Sequence, residues 1–88
     1  MYYSIKTSKS FEKDLKSIQH MPNIMANIND AIVKLKEGKR LPGQHPLIGD
    51  MKGLWECHLP FGKLLLWRVK GSVVKLERLG THHQLFGL

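Results

Sequence analysis

The chain has 88 residues, 42% of them hydrophobic, which is enough for one small domain with a modest core and too little for a second. Fourteen Lys and Arg residues against seven Asp and Glu give a formal charge of +7, which favours a polyanionic or acidic partner. A single cysteine excludes an internal disulfide, no apolar run could span a membrane, and the first residues lack the apolar core of a signal peptide, so we expect a cytoplasmic protein.

The first part of the chain is predicted to form a strand and two helices. Side chains alternate over residues 2–7 as in a short strand, and Ser8 suits the capping position of a following helix. Pro22 is tolerated in the first turn of a second helix, which Gly38 ends. The buried stripes predicted from helical spacing are Phe11, Leu15 and Ile18 in the first helix and Met25, Ile28, Ile32 and Leu35 in the second.

Residues 39–53 are predicted to form a long loop. This stretch contains three glycines and two prolines with only scattered apolar residues, and His45 lies within it. Loops of this length without secondary structure of their own are usually functional or mobile, so His45 becomes a candidate functional residue.

Three strands are predicted after this loop, over residues 54–59, 63–69 and 72–79, with tight turns between them. The middle strand is apolar on both faces, as expected of a central strand covered on both sides. The order strand, helix, helix, strand, strand, strand predicts an α+β domain spanning residues 1–88. We expect an antiparallel sheet with the two N-terminal helices on one face and the first strand at an edge or between the others.

Strand alternation also indicates which side chains share a face. Glu56 and His58 are two residues apart and should point the same way. By the same rule Arg78 should share a side with Leu76 and Val74. The face without helices is expected to be partly polar or to form a binding cleft.

The segment 77–87 brings an arginine, histidines and an aromatic ring to the end of one strand, a combination suited to RNA chemistry. Cutting RNA without a metal needs a base for the 2′-hydroxyl proton, an acid for the leaving 5′-oxygen and positive charge at the phosphate. Arg78 can supply the charge, and His45, His58 and His82 are candidates for base and acid. Phe86 can stack on a base or pack in the core.

A metal site is a competing use of some of these residues. Cys57, His58, His82 and His83 are all possible ligands, but adjacent strand residues such as Cys57 and His58 point to opposite faces. Their spacing matches no zinc motif, and the sequence contains no phosphate-binding glycine motif. We therefore expect no metal and no cofactor.

Several short motifs together are specific for one family. They are Lys13-Asp14 in the first helix, His45-Pro46-Leu47-Ile48-Gly49, Lys52-Gly53 before the strand that ends in His58, Glu77-Arg78-Leu79-Gly80-Thr81-His82, and Leu85-Phe86-Gly87. The chain resembles, over nearly its whole length, the YafQ branch of the RelE-like toxins, small ribonucleases of bacterial type II toxin–antitoxin pairs. The resemblance implies a RelE/ParE-like fold, cleavage of messenger RNA (mRNA) on the ribosome and neutralisation by a cognate antitoxin, which the basic charge predicts to be acidic.

Family positions that act in catalysis or hold RNA are matched by His45, His58, Arg78, His82 and Phe86, with His45 or His58 as base and His82 as acid. Lys52 and Lys63 are further candidates for binding the RNA phosphates. The family also uses an acidic residue followed by tryptophan, where this chain has Gly62 and Lys63. Two alternatives stay open: a non-enzymatic or weakly active relative that binds antitoxin or RNA, and a gyrase-poisoning toxin of the same fold.

Overall fold

The structure is a computed structural model that describes residues 2–87. It contains five strands and three α-helices in the order β1 (Ser4–Thr7), α1 (Lys9–Lys16), α2 (Pro22–Lys36), β2 (His45–Pro46), β3 (Trp55–Leu59), β4 (Lys63–Lys70), β5 (Val73–Gly80) and α3 (His82–Phe86). Short 3₁₀ turns at Gly49–Met51 and Pro60–Gly62 precede β3 and β4. Within the described residues no helix is long and apolar enough to cross a membrane.

The strands form one sheet in the order β1-β5-β4-β3-β2. The predicted meander of β3, β4 and β5 is confirmed, and all of its pairings are antiparallel. Strand β1 lies at the edge and runs parallel to β5, so the sheet is mixed rather than wholly antiparallel. Parallel neighbours need a long connection, which the rest of the chain between β1 and β5 provides.

The prediction of a loop without secondary structure over residues 39–53 is partly wrong, because this stretch contains strand β2 and the 3₁₀ turn Gly49–Met51. His45 pairs with Glu56 and Pro46 pairs with Trp55, at the outer edge of the sheet. A two-residue strand has no detectable periodicity, and proline is tolerated only where an edge strand need not donate a hydrogen bond. The pairing places His45 beside β3 instead of in a free loop.

Both long helices begin where the sequence predicts. The Ser8 side chain accepts a hydrogen bond from the Phe11 amide at 2.9 Å, and α2 begins at Pro22. The predicted stripe of α2 is partly wrong, because the side chains that become fully buried are Ile24, Ile28, Ala31 and Leu35. Met25 and Ile32 pack only at the margin of the core. The orientation of the helix is set by what it packs against, which sequence spacing cannot specify.

Helices α1 and α2 pack on one face of the sheet. Leu65 and Trp67 of β4 belong to the same core cluster as Phe11 and Ile28, whereas Leu66 lies between them and points to the opposite face. All four residues of the apolar run 64–67 are buried, which confirms β4 as a central strand covered on both sides. The face that carries Leu66 lies opposite to α1 and α2, and it is called the open face below because neither long helix packs on it.

A β-bulge in β5 corrects the predicted side of Arg78. Leu76 pairs with Trp67, whereas Arg78 pairs with Leu66, so Glu77 is an extra residue on β5. The bulge reverses the alternation, and Arg78 therefore lies on the open face, opposite to Leu76. A bulge of this kind cannot be read from alternating hydrophobicity.

Helix α3 was not predicted, because five residues are too few to show a periodic pattern. Thr81 caps it, and the Gln84 side chain accepts a hydrogen bond from the Thr81 amide in return. An added Cβ at Gly80 would lie 2.7 Å from Gln84 Oε1 and 3.4 Å from Leu85 Cδ2. Gly80 thus leaves room for the Gln84 side chain that caps α3, the helix that carries His82.

Candidate active site

A row of side chains crosses the open face of the sheet from strand to strand. The register pairs His45 with Glu56, Glu56 with Leu66, and Leu66 with Arg78. Residues that pair across strands share a face, so these side chains point to the same side. His58 is two positions further along β3 and points the same way. Strands β2, β3 and β5 therefore bring two histidines, a glutamate and an arginine to one surface, and β4 contributes Leu66 between them.

Glu56 lies in the middle of this row, although it was not predicted as a site residue. Its carboxylate is buried, and its Oε1 lies 3.0 Å from His45 Nε2 and 3.6 Å from His58 Nε2. A buried carboxylate stabilises a neighbouring imidazolium and holds the ring in place. The sequence signal that could have identified Glu56 is an acidic residue in a mostly apolar strand, two positions from a histidine on the same face.

His82 and Phe86 extend the cluster from α3. The ring centroids of His58 and His82 are 5.7 Å apart, and those of His82 and Phe86 are 5.8 Å apart. His82 and Phe86 are four residues apart on a helix and so lie on the same side of it. The cluster thus runs from a buried carboxylate through two exposed imidazoles to a half-buried aromatic ring.

Arg78 is held in place by α1. Its Nε donates to Asp14 Oδ2 at 2.8 Å and its Nη2 to Asp14 Oδ1 at 3.3 Å, while the Leu79 amide also donates to Oδ2 at 2.9 Å. These hydrogen bonds and the Asp14 charge raise the pKa of Arg78, so it is always charged. A guanidinium has five N–H donors, and three are left for a substrate phosphate.

The structure does not bring Lys52 and Lys63 into contact with this cluster. Lys63 has the same parity on β4 as Leu65, so it points to the helix face and lines a cleft with Phe61 and the start of α2. Lys52 lines a different groove, beside residues 46–49. Gly62, which replaces the family's acidic residue, has φ +71° and open space around it. The carboxylate at the histidines is Glu56 instead.

Cys57 lies on the other side of β3 from Glu56 and His58, as the sequence predicts. It is buried in the core, and burial together with the neighbouring Glu56 charge raises its pKa from 9.0 to about 11. A buried thiol with a raised pKa is a poor nucleophile and a poor metal ligand.

The metal-ligand set with suitable geometry differs from the one considered from sequence. One nitrogen each from His45 and His58 and an oxygen of Glu56 lie within 4.8 Å of one another. Two imidazoles and a carboxylate suit a transition metal such as zinc, copper or nickel. The same three groups are the ones that proton transfer would need, so a bound ion would compete with acid–base chemistry.

Comparison with known proteins identifies the family. A family model for the "bacterial toxin of type II toxin-antitoxin system, YafQ" matches residues 3–87. The chain belongs to the YafQ family. The mRNA interferase toxin YafQ of Escherichia coli K12 is 24% identical over 83 residues, which is 94% of this chain and 84% of that protein.

Two solved structures are similar over almost the whole chain. YafQ in the E. coli DinJ–YafQ toxin–antitoxin complex has a TM-score of 0.84 and 28% identity, covering 99% of this chain and 100% of that one. A metal-bound toxin from Helicobacter pylori has a TM-score of 0.84 and 34% identity, covering 98% and 100%. The fold of this YafQ-family chain is the RelE-like toxin fold, as expected.

Proposed function

We propose that this YafQ-family protein is the toxin of a type II toxin–antitoxin pair and acts as a metal-independent mRNA endonuclease. The observation that carries the proposal is the convergence of Glu56, His45, His58, His82 and Arg78 on the open face. Family membership supports the class of activity, since the E. coli relative is an mRNA interferase. We further propose that residues 1–88 form one toxin domain that works in the cytoplasm, where mRNA is translated.

In this proposal His58 is the general base. Both ring nitrogens of His45 face protein oxygens, Nε2 at 3.0 Å from Glu56 and Nδ1 at 3.4 Å from the Pro46 carbonyl. His58 is more exposed, and its Nε2 lies at ion-pair distance from Glu56. When His58 takes the proton of the 2′-hydroxyl, the Glu56 carboxylate stabilises the imidazolium that forms. His45 holds Glu56 in position.

His82 is the general acid in the same proposal. The 2′-oxygen attacks phosphorus, the bond from phosphorus to the 5′-oxygen breaks, and His82 gives a proton to that oxygen. The products are a 2′,3′-cyclic phosphate and a free 5′-hydroxyl, so the reaction needs neither water nor a metal. The ring separation of 5.7 Å between His58 and His82 allows both to reach oxygens of one phosphate.

The other two residues bind the substrate. Arg78 directs its free N–H donors at the phosphate, where negative charge grows in the transition state. Phe86 offers a ring next to His82 on which an unstacked base can lie. Because the E. coli relative forms a complex with the antitoxin DinJ, we propose that a cognate acidic antitoxin covers this face in the resting state.

The test is induction of the chain alone in bacteria, with pulse labelling and mapping of the 5′ ends of cellular mRNA. We expect protein synthesis to fail before DNA synthesis and new 5′ ends to appear within translated codons. Failure of DNA synthesis first, with gyrase–DNA complexes, would favour the gyrase-poisoning alternative.

Purified protein on programmed ribosomes separates chemistry from binding. Arg78→Ala and His82→Ala should each lower the cleavage rate by about 10²-fold or more with little change in ribosome affinity. Cleavage should persist with a chelator that removes transition metals but leaves the Mg²⁺ that ribosomes need, whereas excess zinc or copper should inhibit by occupying His45, Glu56 and His58. If the wild-type protein, like the two variants, leaves ribosome-bound mRNA intact but still binds the antitoxin, the non-enzymatic alternative is correct.

A further inference from the structure

A row of cations crosses the open face next to the row that contains the proposed catalytic residues. The register pairs Lys6 of β1 with Lys75 of β5, and Lys75 with Arg68 of β4. All three side chains are exposed, and with Lys70 they line a trough of about 390 Å³. No residue of this row has a role in the proposed chemistry.

This arrangement costs stability in the free protein. Side chains directly opposite each other on neighbouring strands are about 5 Å apart at Cβ, and like charges there repel each other. Among the described residues that line the trough Glu77 is the only acid, and its Oε2 is 3.5 Å from Arg68 Nε. One carboxylate against four cations leaves an excess of positive charge that a bound polyanion would neutralise.

The Arg68 side chain lies close to the backbone of Gly53. A Cβ at Gly53 would lie 2.6 Å from Arg68 Nη1, and Gly53 has φ +98°, which other residues rarely adopt. The Arg68 guanidinium therefore lies against the backbone just before β3, and it also contacts the Glu77 carboxylate. The φ of Gly53 favours glycine in the Lys52-Gly53 motif, and Arg68 lies between this backbone and Glu77.

The trough continues into the proposed active site. Arg68 follows Leu66 by two residues on β4, so the two rows lie about 7 Å apart along the strands on the same face. Glu77, which contacts Arg68, directly precedes Arg78. A chain of phosphates that passes Arg78 would reach Lys75 and Lys6 next.

We infer that the row Lys6–Lys75–Arg68 binds the phosphate backbone of RNA beyond the scissile phosphate. The inference rests on the proposed function, because it names the RNA as the polyanion. The recognition is electrostatic and independent of base sequence, since lysines offer point charges and no base-reading geometry. The phosphates can belong to the mRNA strand or to ribosomal RNA, and the test separates these sources.

The test compares Lys6→Gln/Lys75→Gln with the matched control Lys16→Gln/Lys36→Gln. The control removes the same charge from exposed positions on α1 and α2, on the other side of the sheet. The probes are a short labelled single-stranded RNA and a ribosome programmed with mRNA whose A-site codon is 2′-deoxy and cannot be cut. Affinity is measured between 50 and 200 mM salt.

Each phosphate contact in single-stranded RNA contributes about 0.7 to the slope of log affinity against log salt. Loss of two contacts should lower the slope by about 1.4, so wild type should lose about sevenfold more affinity than the variant over this salt range. The control should behave as wild type. An effect on both probes identifies the mRNA strand, and an effect on the ribosome alone identifies ribosomal RNA.

Equal slopes for the variant and the control would overturn the inference. So would a variant that binds RNA normally and loses the co-expressed antitoxin, because the row would then be a protein-binding surface. If the variant binds as wild type and both cut unmodified mRNA, the inference fails and the proposed function stands. If the variant shows the predicted loss of slope but wild type cuts no mRNA, the proposed function fails and the inference stands.

Discussion

Glu56 is the residue whose role the structure changes most. It is one of few acids in a strongly basic chain, and it is buried where its carboxylate contacts His45 and His58. Burying a carboxylate is costly unless it is paired, so its position points to a role at the two histidines. It also provides a carboxylate in a chain that has Gly62 at the family's acidic position.

Replacing Glu56 with Gln should lower the cleavage rate by about 10²-fold with little change in ribosome affinity, because the neutral amide cannot stabilise an imidazolium at His58. Single-turnover cleavage on programmed ribosomes measures the rate. Glu12→Gln, on the exposed face of α1, is the control with the same change of charge. A Glu56→Gln protein that cuts at the wild-type rate would remove Glu56 from the mechanism.

Cys57 should be unreactive in the folded protein. A pKa raised from 9.0 to about 11 lowers its thiolate fraction at neutral pH about a hundredfold. Alkylation by iodoacetamide at pH 8 should therefore be slow in the native state and fast in denaturant. Rapid native-state alkylation would show that this part of the core opens readily.

The same pKa shift predicts a loss of stability in alkali. The folded state holds the Cys57 proton more tightly than the unfolded state. The contribution of the protonated thiol to the free energy of unfolding is therefore complete below pH 9 and is lost between pH 9 and about 11. Denaturant unfolding across this range should show a steeper decline for wild type than for Cys57→Ala. Parallel declines would contradict the shift.

At the scale of elements, α1 fixes the shape of β5. The Ser8 amide donates to the Leu76 carbonyl and the Ser8 hydroxyl to the Glu77 carbonyl, while Asp14 binds Arg78 and the Leu79 amide. These contacts hold both sides of the bulge where β1 no longer pairs with β5. The bulge in turn delivers Arg78 to the open face.

Asp14→Asn should therefore weaken both the fold and the activity. The amide has one oxygen for three donors, and unfolding free energy should fall by about 1–3 kcal/mol. Cleavage should fall further than stability explains, because Arg78 loses its orientation. Unfolding in denaturant and cleavage at a temperature where the variant is folded test this. Asp30→Asn, which breaks only an exposed pair with Lys34, is the control.

Helix α3 depends in the same way on Gly80. Gly80→Ala should displace the Gln84 side chain from the Thr81 amide and so loosen α3 and His82, because a Cβ there meets Gln84 Oε1 at 2.7 Å. A displacement of about 1 Å can cost 10²-fold in rate. Gln84→Ala removes the side chain that would meet this Cβ, together with its hydrogen bond to the Thr81 amide, and should lower the cleavage rate less than Gly80→Ala. Equal effects of the two substitutions on cleavage would show that the cap matters and the close packing does not.

The two faces of the sheet differ in chemistry across the whole molecule. The helix face contains the apolar core, whereas the open face carries the histidine cluster and the cation row. A net charge of +7 speeds encounter with an acidic or polyanionic partner and makes it dependent on salt. The histidine cluster and the cation row lie on the same face of the sheet, so one partner can cover both.

An acidic antitoxin should therefore protect the open face and leave α2 exposed. In a complex with the protein encoded beside it, backbone amides near His58 and His82 should exchange more slowly with deuterium than in the free toxin. Amides on the solvent side of α2 should be unchanged. A stable complex with unprotected amides around His58 would mean that the antitoxin acts without covering the site.

The sequence by itself determined the elements whose causes are local. The Ser8 cap, the start of α2 at Pro22 and the three apolar strands follow from neighbouring side chains and backbone preferences, and each formed as predicted. The family motifs also pointed to the histidines and the arginine of the candidate site. Short-range patterns suffice here because capping, helical spacing and strand alternation act over a few residues.

Only the tertiary structure decided which of these residues meet. The bulge at Glu77 moved Arg78 to the other face, the pairing of β2 brought His45 to Glu56, and α3 folded back to place His82 beside His58. Asp14 and Arg78 are 64 positions apart in the chain and joined by two hydrogen bonds. Such contacts depend on how distant segments pack, because the stabilising partner of each group is supplied by another element of the fold.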